Sequence, residues 1–287
     1  MNAVPSRTLG AFVDDYDLER GLTREASRQY RFAVKSAERW LGRTMMVSDL
    51  TPDLFNHWLQ SIQGGSLAPA TVACRRRHLL AIWRAAADRR EAQDPPRRLR
   101  PAKVPYQAPR AWAVEEVRAI LAVCRRLGRT RAGRMDRATF WSLAVMVSWD
   151  TGLRLSDLVR LRVDEIRPDG RAIVTQSKTG RPVFVQLSPD TMSLVRSSLE
   201  QAPRRLVCPW PSTRESFRRQ FNLIVQKAGV RKGSWKWIRR SSATDVERLQ
   251  PGAGSAHLGH AFGSTIAAKH YLDPWLLQGA KARPTGL

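Results

Sequence analysis

Residues 94–110, DPPRRLRPAKVPYQAPR, carry prolines at positions 95, 96, 101, 105 and 109. Proline removes a backbone donor and fixes φ, so neither a helix nor a central strand can run through such a stretch. The stretch has no hydrophobic periodicity and is rich in Arg and Lys. It reads as an exposed basic segment that forces the chain to bury its apolar residues in two cores rather than one. The chain has 287 residues, 43% of them hydrophobic, which is enough material for two domains. The expected division is a first domain over 1–100, a linker over 101–110 and a second domain over 111–287.

The first hundred residues read as helices. Apolar residues recur at mixed three and four spacing over 9–18 and 23–41. Thr51 before Pro52 and Asp53 is an N-cap signal for a helix reaching to about residue 62. A long helix is expected over 68–90, with Val72, Leu79, Ile82, Trp83 and Ala86 on one stripe. In the second domain, 114–127 reads as a helix, 128–137 as a basic loop and 138–149 as a strongly apolar core helix. Thr151-Gly152 ends that helix, and another starts near Leu155. Over 171–187, Ile173 and Val174, then Val183, Phe184 and Val185, flank a Lys-Thr-Gly turn, the pattern of a β-hairpin. Helices follow over 190–200, 213–228, 239–249, 254–258 and 264–271. The fold class is therefore mainly α, with a helical first domain and a mixed α+β second domain holding one small hairpin.

Lys and Arg number 49 against 25 Asp and Glu, a net charge of +24. That excess makes a polyanion the leading partner, either nucleic acid or an acidic membrane surface. No run of about 18 apolar residues is present, so a membrane span is not expected. The first residues lack an apolar signal core, and a cytoplasmic protein with no membrane partner is expected. Cys74, Cys124 and Cys208 lack CxxC spacing and read as reduced thiols, without a disulfide framework or a metal. Basic runs lie at 75–77, 97–100 and 125–134, and the overall charge favours a DNA-facing role for Arg75, Arg76, Arg77, Arg97, Arg98 and Arg100.

Transferring a phosphodiester needs a nucleophile, neutralisation of the charge that builds on the phosphoryl oxygens, and a proton for the leaving oxygen. The sequence has no carboxylate cluster for Mg²⁺ but many arginines, whose forks clamp phosphate oxygens without metal. Taken singly, each candidate has an ordinary reading. Arg154 could pair with Asp157 one turn on, Lys178 is a hairpin-turn lysine, Lys236 and Arg239 could be solvated, His260 could cap a helix and Tyr271 could be packing. Trp235 and Trp237 flank Lys236, and a pocket role and simple packing are both open for them. His57, His78, His257 and His270 show no metal-type pattern and are assigned no chemistry.

Taken together these residues stand in one order. Thr151-Gly152-Leu153-Arg154-Leu155-Ser156-Asp157-Leu158 resembles the first box of the tyrosine recombinase (phage integrase) family. Lys178-Thr179-Gly180 matches that family's β-turn lysine. Ile238-Arg239-Arg240-Ser241-Ser242-Ala243-Thr244 resembles its second box, and Leu258-Gly259-His260 its Leu-Gly-His element. Tyr271 falls where the family has its nucleophile. The resemblance covers the whole second domain and, more loosely, the helical first one. It implies a SAM-like core-binding DNA-clamp domain before a catalytic domain with a C-terminal tail over 272–287. It also implies a DNA strand transferase, bacterial or phage-encoded, working on double-stranded DNA through a 3′-phosphotyrosyl intermediate without metal, cofactor or ATP. Arg154, Lys178, Lys236, Arg239, His260 and Tyr271 are its implied catalytic set, with Asp157 in support.

One position departs. The family's second box opens with His three residues before its Arg, and this chain has Lys236 there. Lysine keeps a donor for a phosphate oxygen, but with an ordinary pKa of about 10.4 it accepts protons at neutral pH only if desolvated. Two other readings stand beside the recombinase: a DNA-binding module of the same fold without catalysis, and a topoisomerase-like or end-resolving enzyme using the same chemistry alone. In the family the tail docks on a neighbouring subunit, which implies a homo-tetramer on paired DNA sites; the alternative is a tail folded on its own domain. If about 6–10 phosphates are neutralised, DNA affinity measured by anisotropy should fall by roughly 10³ or more between about 50 and about 200 mM salt. A nearly flat response would count against extended phosphate contact.

Overall fold

The computed structural model describes residues 7–128, 131–132, 135–261 and 263–277. The chain divides into two compact units, Met1–Tyr106 and Gln107–Leu287. None of the described helices is long and apolar enough to cross a membrane.

The first unit is built from α1 (Leu9–Arg20), α2 (Arg24–Leu41), α3 (Pro52–Gln63) and α4 (Pro69–Asp88). Three of these helices start on the same device. The hydroxyls of Thr8, Thr23 and Thr51 accept the backbone N–H of Ala11, Ala26 and Leu54, satisfying donors that a helix start leaves unpaired. Phe12, Phe55, Trp58 and Trp83 are fully buried between the helices. The Trp83 indole donates to the Gln93 carbonyl at 2.8 Å, which turns the chain back after α4.

The basic segment after α4 is not a free linker along its whole length. Leu99 and Ala102 pack on the core of the first unit. Asn56 accepts from the Arg100 backbone at 2.9 Å, and Gln63 donates to the Pro101 carbonyl at 2.9 Å. Prolines leave these backbone groups without regular partners, and the amide side chains of α3 supply them.

In the second unit, α5 (Val114–Arg125), β1 (Arg131–Ala132) and β2 (Met135–Asp136) precede the central helix α6 (Arg137–Thr151). The short antiparallel β1–β2 ladder lies in the stretch expected to be a loop, while residues 129–130 and 133–134 of that stretch lie outside the described residues. Then come α7 (Leu155–Leu158), β3 (Arg171–Thr175), β4 (Pro182–Gln186), α8 (Pro189–Gln201) and α9 (Arg214–Lys227). The chain continues through α10 (Lys236–Leu249), α11 (Ala253–His257), α12 (Ile266–His270) and α13 (Pro274–Leu277). Helix α6 packs against α5, α8 and α10, and Phe140, Trp141, Leu143, Ala144 and Val147 on it are fully buried.

Aromatic packing decides where α10 begins. Trp235 is buried against Phe217 and Phe221 of α9, with ring centroids 4.8 and 4.7 Å away, and Trp141 lies 4.7 Å from Phe217. Trp112 packs on both Trp237 and Phe221. Packing is thus the role of Trp235 and Trp237, and it anchors a helix start that lacks a side-chain cap. The helix begins at Lys236 rather than at the expected residue 239. Strands β3 and β4 pair antiparallel with Ile173 opposite Phe184. Ala172, Val174, Val183 and Val185 face inward as the alternation requires.

Trp141 sits at the centre of the aromatic cluster. Trp141→Ala should destabilise the second unit by about 3–5 kcal/mol, read from the urea midpoint and slope. A loss below about 1 kcal/mol would mean that the cluster does not carry the core.

Candidate active site

The site gathers on α10. Lys236 and Arg239 are three residues apart and so share one face of the helix. The Lys236 Nζ and the Arg239 guanidinium carbon each lie 5.0 Å from the centroid of the Tyr271 ring. The His260 ring is 5.3 Å from the same ring. Arg239 is 4% exposed. Its Nη1 donates to the Gly152 carbonyl and its Nη2 to the Leu258 carbonyl, the second at 3.0 Å. Its Nε and both ring nitrogens of His260 are buried without a partner among the described residues.

The Thr151-Gly152 turn brings the first box to this point. Gly152 closes α6 in the left-handed region at φ 59°, and a Cβ there would come 2.8 Å from His257 Nε2. Arg154 follows as the residue before α7, and its Nη1 donates to Gln176 Oε1 at 2.7 Å. Asp157 is buried but forms no ion pair with Arg154. Its Oδ1 accepts from the backbone N of Ser177 at 3.0 Å and from the Ser177 hydroxyl at 2.5 Å. Asp157 therefore fastens the hairpin turn next to Lys178. That turn is closed by Gly180 N donating to Gln176 O at 2.8 Å, and Lys178 stands exposed on it.

Charges decide the titration of the site. For Tyr271, burial alone would raise the phenol, but the positive charges of Arg239, Lys236 and Arg154 outweigh it and hold the phenol below its usual value. Lys236 is pushed down by burial, partly offset by Tyr271, with Arg240, Arg239 and Lys178 pushing further down. Lys236 nevertheless stands exposed at the start of α10, so its desolvation is only partial. Arg239 is lowered to about 10, first by burial. His260 falls to about 4 through burial and then through Arg239 and Arg154.

Several residues that shape the site carry no signal in the sequence pattern. Gln176 touches Arg154, the Leu258 carbonyl and Thr179. His257 Nε2 lies 2.6 Å from the Ser242 hydroxyl, which itself donates to the Trp149 carbonyl. That hydroxyl must then accept from His257, so Nε2 carries the proton. Asp273 is buried, and its carboxylate accepts from the backbone N of Ala111 at 2.7 Å and of Trp275 at 2.9 Å. Arg240 donates to the His270 carbonyl at 3.0 Å. Tyr271 itself lies just outside α12, at φ −128°, rather than within the expected helix over 264–271.

The arginines expected to face DNA sit in the first unit. Arg77, Arg97, Arg98 and Arg100 are exposed. Arg75 and Arg76 are half-buried: Arg75 donates to the Ser36 hydroxyl at 2.9 Å and Arg76 to the Arg100 carbonyl at 2.8 Å. Arg100 also donates to Gln63 Oε1 at 2.9 Å. Among the described residues no group of three or more His, Cys, Asp or Glu side chains is placed to hold a metal ion. Of the tail over 272–287, residues 278–287 lie outside the described residues.

The sequence model of the phage integrase family matches residues 112–269, more than half of the chain. A tyrosine recombinase XerD from Caulobacter vibrioides is 24% identical over 197 residues, which cover 67% of this chain and 62% of the relative. A tyrosine recombinase XerA from Thermococcus kodakarensis is 27% identical over 271 residues, covering 88% of each chain. Among solved structures, a lambda integrase tetramer bound to a Holliday junction superposes with a TM-score of 0.69 at 20% identity, over 89% of this chain and 78% of that one.

His257 and His260 are each lowered from the usual 6.5 to about 4. Between those values the unfolded chain binds more protons than the folded one, so stability is full above 6.5 and declines as pH falls toward 4. The urea midpoint should therefore drop between about pH 7 and about pH 5, and by less in His257→Gln. An equal drop in the variant would contradict a half-buried His257 that stays neutral in the folded protein.

Proposed function

Because the chain belongs to the phage integrase family, we propose that it is a site-specific DNA recombinase in which Tyr271 breaks and rejoins strands through a 3′-phosphotyrosyl bond. The observation that carries this reading is the convergence of Lys236, Arg239 and His260 on one phenol. The Tyr271 oxygen attacks phosphorus, the P–O5′ bond breaks, and Lys178 protonates the departing 5′ oxygen. Arg154 and Arg239 neutralise the phosphoryl oxygens, and Lys236 and His260 add donors. The unpartnered nitrogens of Arg239 and His260 provide hydrogen-bonding capacity for such oxygens. Cations that depress the phenol favour the attacking phenolate. A new 5′ hydroxyl reverses the step, so the covalent bond conserves the energy of the cut strand and no ATP is needed.

Double-stranded DNA is the proposed substrate and the cytoplasm the proposed place of action. The first unit, with Arg75, Arg76, Arg77, Arg97, Arg98 and Arg100, is proposed to grip the phosphate backbone as a core-binding domain over 1–100, joined by 101–110 to the catalytic domain over 111–287. Assembly as a tetramer through the tail is proposed on the exposure of Trp275, 62%, and on the likeness to a lambda integrase tetramer.

Covalent capture tests the reaction. A pool of duplexes with a randomised core and 5′-bridging phosphorothiolates accumulates adducts, because a thiol leaves without an acid and rejoins poorly. Wild type should become linked to DNA through the peptide containing Tyr271, and Tyr271→Phe should not. On a recovered sequence, Lys178→Ala should lose about 10²-fold or more with the oxygen linkage and far less with sulfur. An adduct that survives in Tyr271→Phe would overturn the nucleophile. Stable sequence-specific binding with no adduct would favour a regulator of the same fold.

A further inference from the structure

We propose that Gln176 is a positioning residue that aims the Arg154 fork and ties three separate parts of the site together while leaving their positive charge intact. Gln176 follows β3 and is 2% exposed. Its Oε1 accepts from Arg154 Nη1 at 2.7 Å and from the Thr179 hydroxyl at 3.0 Å. Its Nε2 donates to the Leu258 carbonyl at 3.1 Å. The orientation of the amide is fixed by its partners: a guanidinium can only donate and a carbonyl can only accept.

Each contact reaches a different segment. Arg154 belongs to the turn before α7, Thr179 to the hairpin that carries Lys178, and Leu258 to the loop that carries His260. The Leu258 carbonyl also receives Arg239 Nη2 at 3.0 Å. One neutral side chain therefore connects the two arginines through a shared acceptor and holds the lysine turn beside them. Gly259 preserves this approach. It stands at φ 65°, and a Cβ there would come 3.0 Å from Gln176 Nε2 and overlap Val183.

The neutrality of the amide matters as much as its reach. A glutamate here would hold Arg154 more tightly, because a hydrogen bond between charged partners is stronger. It would also cancel the charge that the phosphoryl oxygens need, in a buried place where that charge is felt most. It would further set a carboxylate oxygen against the Leu258 carbonyl, two acceptors facing each other. Glutamine supplies acceptor and donor at once with no net charge. Three residues of a hairpin, a turn and a loop are thereby oriented without consuming the electrostatics of the site.

The inference rests on the strand-cleavage reading for its consequence, and its test separates the two. With the duplex recovered by covalent capture, Gln176→Leu should slow adduct formation by about 100-fold while duplex affinity stays within about threefold. Gln176→Glu, of equal size, should be slowed by a comparable factor, because its carboxylate pairs with Arg154 and stays ionised across the working pH range. The two variants fail for opposite reasons, leucine by leaving Arg154 unaimed and glutamate by cancelling its charge. A Gln176→Leu or Gln176→Glu rate within about threefold of wild type would overturn the proposal.

A second measurement needs no DNA. The absorbance titration of Tyr271, taken as the difference between each protein and its Tyr271→Phe counterpart, reports the field at the phenol. The groups that set it are Arg239 and Lys236 of α10, Arg154, and Lys178 acting on Lys236, with Arg240 and Asp273 nearby and His260 neutral. Gln176→Glu should move the midpoint upward, and an unmoved midpoint would overturn the proposal. Absence of any wild-type adduct alongside a shifted midpoint would instead strike the strand-cleavage reading and leave the placement of Gln176 standing.

Discussion

A guanidinium that is 4% exposed must find its partners inside the protein, because an unpaired buried charge costs far more than a hydrogen bond returns. Arg239 finds two carbonyls, Gly152 and Leu258. Those carbonyls end helix α6 and begin the loop after α11, so one side chain fixes the relative position of three segments remote in sequence. Neither carbonyl carries a formal charge. The cation is held by dipoles and keeps its full charge for whatever anion arrives. Tyr271 lies over the same guanidinium, and the depression of its phenol follows from that choice of neutral partners.

The parts of this arrangement that were legible in the sequence are those whose chemistry is local. Thr51 before Pro52, the alternation on either side of Lys178-Thr179-Gly180 and the glycine after Thr151 each state a backbone event in a few residues. Arg154, Arg239, His260 and Tyr271 could be singled out because their order matches a family pattern. The start of α10 was not legible. It is set by Trp235 docking on Phe217 and Phe221, a tertiary contact that leaves no capping signature. The end of α12 was missed for a similar reason: the backbone N of both Tyr271 and Leu272 turns back to the Ala267 carbonyl, and no glycine or proline marks the place.

Gln176 and His257 were invisible for a different reason. An amide or a lone imidazole in a sequence announces no partner. Their meaning depends on contacts 82 residues apart for Gln176 with Leu258 and 15 residues apart for His257 with Ser242. Asp157 shows the opposite case. Its place beside Arg154 suggested a salt bridge, yet the turn at Ser177 offers two donors and takes the carboxylate instead. Proximity in sequence was the weaker guide because the strand pair folds a better set of donors onto the acid.

Asp273 has a mechanical meaning. Its carboxylate is held by the backbone of Ala111 and its own N–H by the Thr244 hydroxyl at 3.0 Å, only two residues beyond the phenol. A pull on the chain from Trp275 onward is grounded there before it can reach Tyr271. Tyr271 lies on one side of this clamp, and α13, which packs on α10, lies on the other.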